Sequence, residues 1–250
     1  MRVDLAGKVA LITGAAQRVG RVIALELAEQ GVSILVHYNS AEQSIVRKTL
    51  HEIRTHGVEA HAAQADLSRA EGVESLLTAA VARFDRLDIV VNNASVFQAR
   101  DFLDLSLADW NLTMAVNLRA PFLITQRAAR IMAENPMPGG VIINICDAGV
   151  DGPWEKYPHH GISKSALWML TQVSALSLGP DIRVNAIVPG PVMKTAGRGA
   201  TDEEWAKIGQ RSVLRKTGSA EDVARAVVYL CGEDHITGAF LHVNAGEHLR

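Results

Sequence analysis

The segment from Tyr157 to Lys164 reads YPHHGISK and gathers several side chains that can transfer protons. His160 and Lys164 are four residues apart, so on a helix they would share one face. An imidazolium donates a proton readily, whereas a neutral imidazole is a very poor acid. The ammonium of Lys164 disfavours a charged ring and a nearby carboxylate favours one, so the sequence leaves the protonation of His160 open. The segment predicts a proton-transfer site around His160.

Tyr157 and His159 offer other readings of the same segment. Tyr157 is seven residues before Lys164 and would share its face if the helix began early. Pro158 pushes the preceding residue out of helical geometry, so we expect Tyr157 on a loop that lines the pocket. Adjacent residues point about 100° apart on a helix, so His159 and His160 would not chelate one metal ion together. We expect no metal site.

A glycine-containing turn, TGAAQRVGR (13–21), follows an apolar run and opens a helical pattern. Such a turn lets the backbone approach a pyrophosphate, and the N-terminus of the following helix favours its negative charge. The turn therefore predicts a dinucleotide site between the first strand and the first helix.

The second apolar run ends in VHYNS (36–40), which has no acidic residue to bind a ribose 2′-hydroxyl. Arg18 in the glycine turn can face this strand end, and a guanidinium matches a phosphate in shape and charge. His37, Asn39 and Ser40 can add hydrogen-bond donors. These residues favour NADP(H) over NAD as the cofactor.

Short apolar runs without polar alternation predict the strands that would position these groups. The runs cover 8–13, 32–38, 87–93, 140–145 and 182–188, with a weaker strand at 59–66. Helical spacing of apolar residues in the segments between them, such as 21–31 and 71–84, predicts helices, and Gly31 and Gly57 are placed to cap helix C-termini. We expect an α/β fold with a doubly wound parallel sheet.

The chain shows no linker or tandem repeat, so we expect one domain over 1–250. The segment 190–215 is rich in glycine and polar residues, and we expect it to be a flexible loop near the substrate. The apolar stretch 165–178 is longer than one sheet face needs, and core burial alone is one interpretation of it.

Composition excludes several classes of protein. The 250 residues hold 25 Lys and Arg against 27 Asp and Glu, so no basic surface indicates nucleic acid or anionic lipid. Cys146 and Cys231 have no metal-ligand spacing, and Cys146 is expected to be a buried thiol. No apolar run reaches the roughly 20 residues of a membrane helix, and no signal peptide is expected. These features predict a cytoplasmic protein.

Taken together, the motifs resemble those of the short-chain dehydrogenase/reductase family over essentially the whole chain. The matching motifs are the glycine turn, ADL (65–67), NNAS (92–95), Asn117 in MAVNLRAPF, the PG pair at 189–190, and ITGAFLHVNAG (236–246). The resemblance implies a Rossmann fold, a homotetramer, and a cofactor loop that includes Thr195. The implied cofactor-binding residues are Thr13, Gly14, Arg18, Val19, Gly20, Asp66, Leu67, Asn93, Ala94, Ser95, Lys164, Pro189 and Gly190. In this family a tyrosine occupies the position of His160, and Asn117 holds a water that leads to Lys164.

Within that family the sequence is most similar to the pteridine reductases. Arg18 in the glycine turn, HYN after the second strand, NNASVF, and Asp147 in INICDAG follow their pattern. Asp147 lies thirteen residues before His160, the separation that the acid and the tyrosine have in that group. The resemblance implies catalytic roles for Asp147 and His160. It also implies that Phe97 stacks a pterin ring against the nicotinamide.

The implied substrate site comprises Ser95, Phe97, Asp147, Trp154 and Tyr157. Three hypotheses remain open at this point. The first is an NADP-dependent reductase of a pterin or a similar flat heterocycle. The second is a carbonyl reductase that uses His160 as imidazolium. The third is an NADPH-binding protein without turnover, which the missing tyrosine favours.

Overall fold

A seven-stranded parallel sheet forms the centre of the computed structural model, which describes residues 3–194 and 201–250. The strands lie in the order β3-β2-β1-β4-β5-β6-β7. Their bounds are β1 Val9–Ile12, β2 Ser33–Tyr38, β3 Ala60–Gln64, β4 Ile89–Asn92, β5 Gly140–Ile145, β6 Ile182–Pro189 and β7 Phe240–Val243. Every predicted strand is present, so the α/β doubly wound fold is confirmed.

The helices cover both faces of this sheet. They are α1 Arg18–Glu29, α2 Gln43–Arg54, α3 Ala70–Phe84, α4 Leu107–Met114, α5 Ala120–Ala133, α6 Pro158–Leu178, α7 Asp202–Gly209 and α8 Ala220–Gly232. Side chains of α1, α2 and α8 pack in one apolar layer, and those of α3, α5 and α6 pack in the other. Along β1, Ala10 and Ile12 enter the first layer while Val9 and Leu11 enter the second. Burial on both faces explains why the strands read as unbroken apolar runs.

The strand order reverses between β1 and β4. The chain runs from β1 outward to β3 and then crosses back to β4 on the other side of β1. Ligands of open α/β sheets bind in the crevice beyond the carboxyl ends of the strands at such a reversal. The glycine turn after β1 and the NNAS segment after β4 therefore meet at this crevice.

Glycines end the first two helices as expected. Gly31 and Gly57 follow α1 and α2 with φ values of +79° and +78°. The left-handed conformation carries no side-chain penalty for glycine, so these residues let the chain turn back toward the sheet.

Cys146 and Cys231 are buried, and burial raises the pKa of each thiol to about 12.

A buried polar chain attaches α6 to the sheet. Asn92 Nδ2 donates to Asn144 Oδ1 at 2.8 Å, and Asn144 Nδ2 donates to Thr171 Oγ1 at 2.9 Å. Asn144 and Thr171 are fully buried. Since an unpaired buried amide is costly, this chain fixes how α6 lies against β4 and β5.

Part of the segment 190–215 is helical, which corrects the expectation of a flexible loop throughout. Helix α7 begins with a capping box in which Thr201 and Glu204 bind each other's backbone N–H groups. This pattern satisfies two free donors at the helix start and stabilises the turn locally. Residues 195–200, which include Thr195, lie outside the described residues.

None of the helices formed by residues 3–194 and 201–250 is long and apolar enough to cross a membrane.

Replacement of Asn144 by alanine should destabilise the fold by about 2–4 kcal/mol, because it leaves the Asn92 amide buried without its acceptor. Urea unfolding followed by circular dichroism measures the loss. The exposed Asn39 provides the control, since Asn39→Ala should change the unfolding free energy by less than about 0.5 kcal/mol. Equal stabilities of the two variants would show that the buried chain does not hold α6.

Candidate active site

The glycine turn after β1 forms a close-packed cradle. Gly14 has φ +66°, and a Cβ on Gly20 would lie 2.4 Å from Gly14 O and 2.6 Å from Asn93 Nδ2. Within the described residues, the side chain of the N-cap residue Gln17 makes no capping bond to α1, and the first turn has no acidic residue. An open helix N-terminus beside such a cradle fits the pyrophosphate of a dinucleotide.

Thr13 joins the ends of β1 and β4. Its Oγ1 accepts the N–H groups of Asn93 and Ala94, each at 2.9 Å, and donates to Val91 O at 3.3 Å. Asn93 Nδ2 donates back to Thr13 O at 2.8 Å. The structure thus brings together three of the predicted cofactor residues at the crevice.

Arg18 begins α1 in the left-handed conformation, with φ +57°. A residue other than glycine is disfavoured there by about 1 kcal/mol, so the turn carries a small backbone cost at this position. Its guanidinium is exposed and donates to Lys194 O, in the loop after β6, at 3.1 Å. Asn39 and Ser40 are exposed at the end of β2.

His37 has a different role from the expected phosphate donor. The side chain is buried, its Nδ1 accepts the Gly14 N–H at 3.0 Å, and its Nε2 lies 3.1 Å from Ala65 O. Burial lowers the pKa of His37, which favours the neutral ring that these two hydrogen bonds require. Since both nitrogens are used within the protein, His37 braces the glycine turn and has no donor left for a phosphate.

The remaining predicted cofactor residues border the same edge of the sheet. Asp66 is exposed after β3 and accepts the Ser68 N–H at 2.9 Å, and hydrogen bonding with Ser68 lowers its pKa. The other described residues of this group are the half-buried Val19 at the start of α1, the buried Leu67, and Pro189 and Gly190 at and after the end of β6. The Gly190 N–H donates to Val243 O at 3.1 Å, which ties the start of the cofactor loop to β7.

The imidazole of His160 is held at both nitrogens. Nε2 contacts Asp147 Oδ2 in a short hydrogen bond, and Nδ1 lies 2.9 Å from Val96 O. Asp147 follows β5, Val96 follows β4, and His160 lies in the first turn of α6. Both partners are oxygen acceptors, whereas the Asn117 Nδ2 donor also lies 3.3 Å from Nδ1. The shorter of the two Nδ1 contacts is the one to Val96 O, and a ring with a hydrogen on each nitrogen would donate to both oxygens. The two oxygen contacts fit the imidazolium, a choice that the sequence left open.

Asn117 holds in place the Val96 carbonyl, which faces Nδ1 of His160. It lies in a π-helical segment, Ala115–Arg119, between α4 and α5. Its Oδ1 accepts the Val96 N–H at 2.8 Å, and its Nδ2 donates to Val96 O at 3.1 Å and to Ser163 Oγ at 3.0 Å. The expected water between Asn117 and Lys164 stays a prediction.

Lys164, one helical turn after His160 on α6, is buried and donates from Nζ to Ile145 O at 2.7 Å. Burial opposes ionisation of the neighbouring Asp147, but the hydrogen bond from His160 and the charge of Lys164 outweigh it and lower the pKa of Asp147. The site therefore keeps an ionised carboxylate against a doubly held imidazole.

An aromatic wall borders the carboxylate–imidazole pair. Phe97 and Tyr157 stack with ring centroids 4.2 Å apart and planes 5° apart, and Phe97 meets the His160 ring edge-on at 4.7 Å. Trp154 packs edge-on to Phe97 at 6.0 Å. Phe97 is 41% exposed, so it is not a core residue. Tyr157 lies outside α6, as Pro158 predicted.

Three residues near the pair were not predicted as site residues. Val96 acts through its backbone, so its side chain carries no signal, whereas Ser163 is one helical turn from His160 and could have been found by spacing. His159 is fully buried, and among the described residues neither of its ring nitrogens has a hydrogen-bond partner.

Ser95, which was predicted as a site residue, is exposed, and its Oγ donates to Asn117 Oδ1 at 3.3 Å.

His160→Ala should raise the pKa of Asp147, because burial would then act on the carboxyl without its hydrogen-bond donor. Because the pKa of Asp147 is lowered in the fold, its ionised carboxylate stabilises the fold at pH values above the ordinary pKa of a carboxyl group. This stabilisation is lost as the pH falls through the pKa that Asp147 has in the folded state. Carbon-13 NMR titration of Asp147 measures the change. His56→Ala, at an exposed position, is the control, and an unshifted Asp147 in His160→Ala would contradict the coupling.

Comparison with known proteins places this site in a large group of oxidoreductases. A family profile described as enoyl-(acyl carrier protein) reductase matches residues 14–248. The chain is 33% identical to 3-oxoacyl-[acyl-carrier-protein] reductase of Aquifex aeolicus over 251 residues, which covers 98% of this chain and 99% of that protein.

Two solved structures have the same fold over nearly their full length. A short-chain dehydrogenase/reductase from Serratia marcescens superposes with a TM-score of 0.90 at 34% identity, covering 98% of this chain and 100% of that one. Alternative dihydrofolate reductase 1 from Brucella canis, complexed with NADP, gives a TM-score of 0.90 at 29% identity, covering 99% and 97%. The parallel sheet changes strand order between β1 and β4, and the glycine cradle lies at this point. Together with these relatives, these features show that the chain belongs to the short-chain dehydrogenase/reductase family.

Proposed function

We propose that this chain is an NADP-dependent oxidoreductase that reduces a dihydropterin or a similar flat, nitrogen-containing heterocycle. The observation that carries the proposal is the Asp147–His160 pair beside the ring of Phe97. A carboxylate–imidazole pair can supply a proton to a basic ring nitrogen, and an aromatic wall can stack a flat ring.

The glycine cradle and its surroundings support NADP(H) as the cofactor. The end of β2 carries no acid that would bind a ribose 2′-hydroxyl, and Arg18 is exposed at the start of α1. A guanidinium there can pair with a 2′-phosphate, with Asn39 and Ser40 as further donors. Bound NADPH would supply the hydride, and Lys164 would bind its nicotinamide ribose.

The pterin assignment rests on the chemistry of the pair and on one relative. By the resemblance to the pteridine reductases, Asp147 would correspond to their aspartate, which stands where the wider family has a serine. The structure from Brucella canis carries the name of a dihydrofolate reductase, whose substrate is a pterin. A dihydropterin has a C=N bond that takes hydride at carbon and a proton at nitrogen, and this needs one hydride donor and one acid.

Carbonyl reduction is the second candidate, and the name of one relative favours it. The relative from Aquifex aeolicus is named as a reductase of a 3-oxoacyl group, and an imidazolium could supply the proton for an alkoxide through Asp147. Such an enzyme would be more active at acid pH. A profile that stays flat between about pH 6 and 9 would count against it.

We also propose that the chain forms a homotetramer. Helix α6 exposes Ile162, Met169, Val173 and Leu176, and α5 exposes Phe122. An exposed apolar face of this kind on adjacent helices marks a protein contact, here a second copy of the chain. A monomer in sedimentation velocity at micromolar concentration would contradict this assembly.

Arg18→Ala should raise the KM for NADPH by about 10- to 100-fold and leave that for NADH within about 3-fold, because one charged contact to a phosphate is lost. Steady-state kinetics with both cofactors measures the change. Arg130→Ala, on the exposed face of α5, is the matched control and should alter neither value. Equal effects of Arg18→Ala on both cofactors would exclude a role for Arg18 at the 2′-phosphate.

The native chain should oxidise NADPH in the presence of dihydrobiopterin or dihydrofolate, and His160→Tyr should raise kcat by less than about 10-fold, because the native pair already supplies a proton. Absorbance at the NADPH band follows turnover, with a 3-oxoacyl thioester as the alternative substrate. An inert native chain that gains activity in His160→Tyr would favour the third hypothesis, an NADPH-binding protein with a regulatory role.

A further inference from the structure

The His160 ring is enclosed by the protein, whereas its partner Asp147 is accessible. The side chain of His160 is 2% exposed and that of Asp147 is 19% exposed. Both ring nitrogens of His160 are engaged, one by Asp147 and the other by Val96 O. The ring therefore has no free N–H to offer a bound molecule.

We infer that Asp147 is the catalytic residue that touches the substrate, and that His160 is a positioning residue behind it that holds the transferable proton. The inference rests on the proposed reduction of a heterocyclic C=N bond. It reverses the arrangement that the motif suggests, because the residue in the tyrosine position would not reach the substrate.

The geometry of the carboxyl group fits this role. Asp147 is the N-cap of the short helical turn Ala148–Val150, and its Oδ1 accepts the Gly149 N–H at 2.9 Å. Its Oδ2 binds His160 Nε2. Each carboxylate oxygen keeps a further lone pair, so the group can bind a substrate N–H or N atom without losing either partner.

The proton balance closes with these two residues. The substrate carbon gains a hydride from NADPH as the C=N π bond is lost. Asp147, ionised at rest, takes the Nε2 proton of His160 and passes a proton to the adjacent nitrogen, so the ring becomes neutral and the carboxyl group ends ionised as it began. Solvent returns the proton through the exposed carboxyl. The net change is NADPH, substrate and one proton giving NADP⁺ and the reduced substrate.

The neutral ring that this step leaves is already accommodated. It keeps its hydrogen on Nδ1, where Val96 O accepts it. Asn117 Nδ2 donates to that carbonyl and to Ser163 Oγ, which holds the acceptor in place. The ring therefore needs no rotation between the two states, which keeps the proton path fixed. The other titratable groups around the pair are Lys164 and His159 on α6, Tyr157 in the aromatic wall, and Cys146 and Asp151 beside the end of β5.

The test compares two near-isosteric variants of the full chain, Asp147→Asn and His160→Gln, across pH with NADPH and dihydrobiopterin. Asp147→Asn should lose at least about 100-fold in kcat at every pH, because the acid at the substrate is gone. His160→Gln should lose about 10- to 100-fold near neutral pH and recover on acidification, because Asp147 can then carry the proton itself. The exposed His56→Gln is the control and should match the native profile.

A merely structural role for His160 would lower kcat without moving the pH profile, and that result would overturn the inference. So would an Asp147→Asn variant within about 3-fold of native kcat beside a His160→Gln variant that is inactive at every pH, because His160 would then be the direct acid.

Nitrogen-15 NMR of the NADP⁺-bound chain separates this inference from the choice of substrate, because it needs no turnover. The native His160 ring should carry a hydrogen on both nitrogens at neutral pH, and Asp147→Asn should remove the one on Nε2. A ring unchanged in Asp147→Asn would overturn the inference. If the NMR result is as expected but no pterin is reduced, the proposed substrate fails while the Asp147–His160 proton path stands.

Discussion

The imidazole of His160, clasped between Asp147 and the carbonyl of Val96, is the constraint on which the site depends. The ring is buried, so a nitrogen left without a partner would cost about 1–3 kcal/mol, and more if the ring is charged. The positions of four elements relative to one another are therefore tightly constrained. They are the loops after β4 and β5, the π-helical segment and α6. The order of these elements in the sheet makes this possible, because β4 and β5 are neighbours and their carboxyl ends deliver Val96 and Asp147 side by side.

The same edge of the sheet explains why the cofactor cradle lies next to the proton path. Thr13 and Asn93 join the ends of β1 and β4 by hydrogen bonds, and the NNAS segment continues directly into Val96. These hydrogen bonds fix the position of the cradle relative to the Asp147–His160 pair. The proposed reduction would require this, since hydride and proton must reach the two atoms of a double bond in one bound geometry.

The sequence predicted the five central strands well because each is buried on two faces, and that burial leaves an unbroken apolar run. The edge strand β3 is partly exposed and gave a weaker pattern. It also placed Tyr157 outside the helix, since Pro158 restricts the preceding backbone regardless of tertiary context. The role of His37 was mistaken because a histidine near a cofactor motif looks like a donor, whereas the backbone groups that occupy its nitrogens leave no trace in composition. The Val96 carbonyl was invisible for the same reason. Helix α7 lies where glycine and polar residues predicted a flexible loop, although Thr201 and Glu204 have the spacing of a capping box.

A crystal structure of the chain with NADP⁺ and a dihydropterin tests the central claim most directly. The account predicts that an oxygen of Asp147 lies within about 3 Å of a pterin ring nitrogen, while His160 keeps its bonds to Asp147 and Val96 O. It also predicts the pterin ring against Phe97. A His160 ring that has left Val96 and binds the ligand directly, with Asp147 turned away, would contradict it.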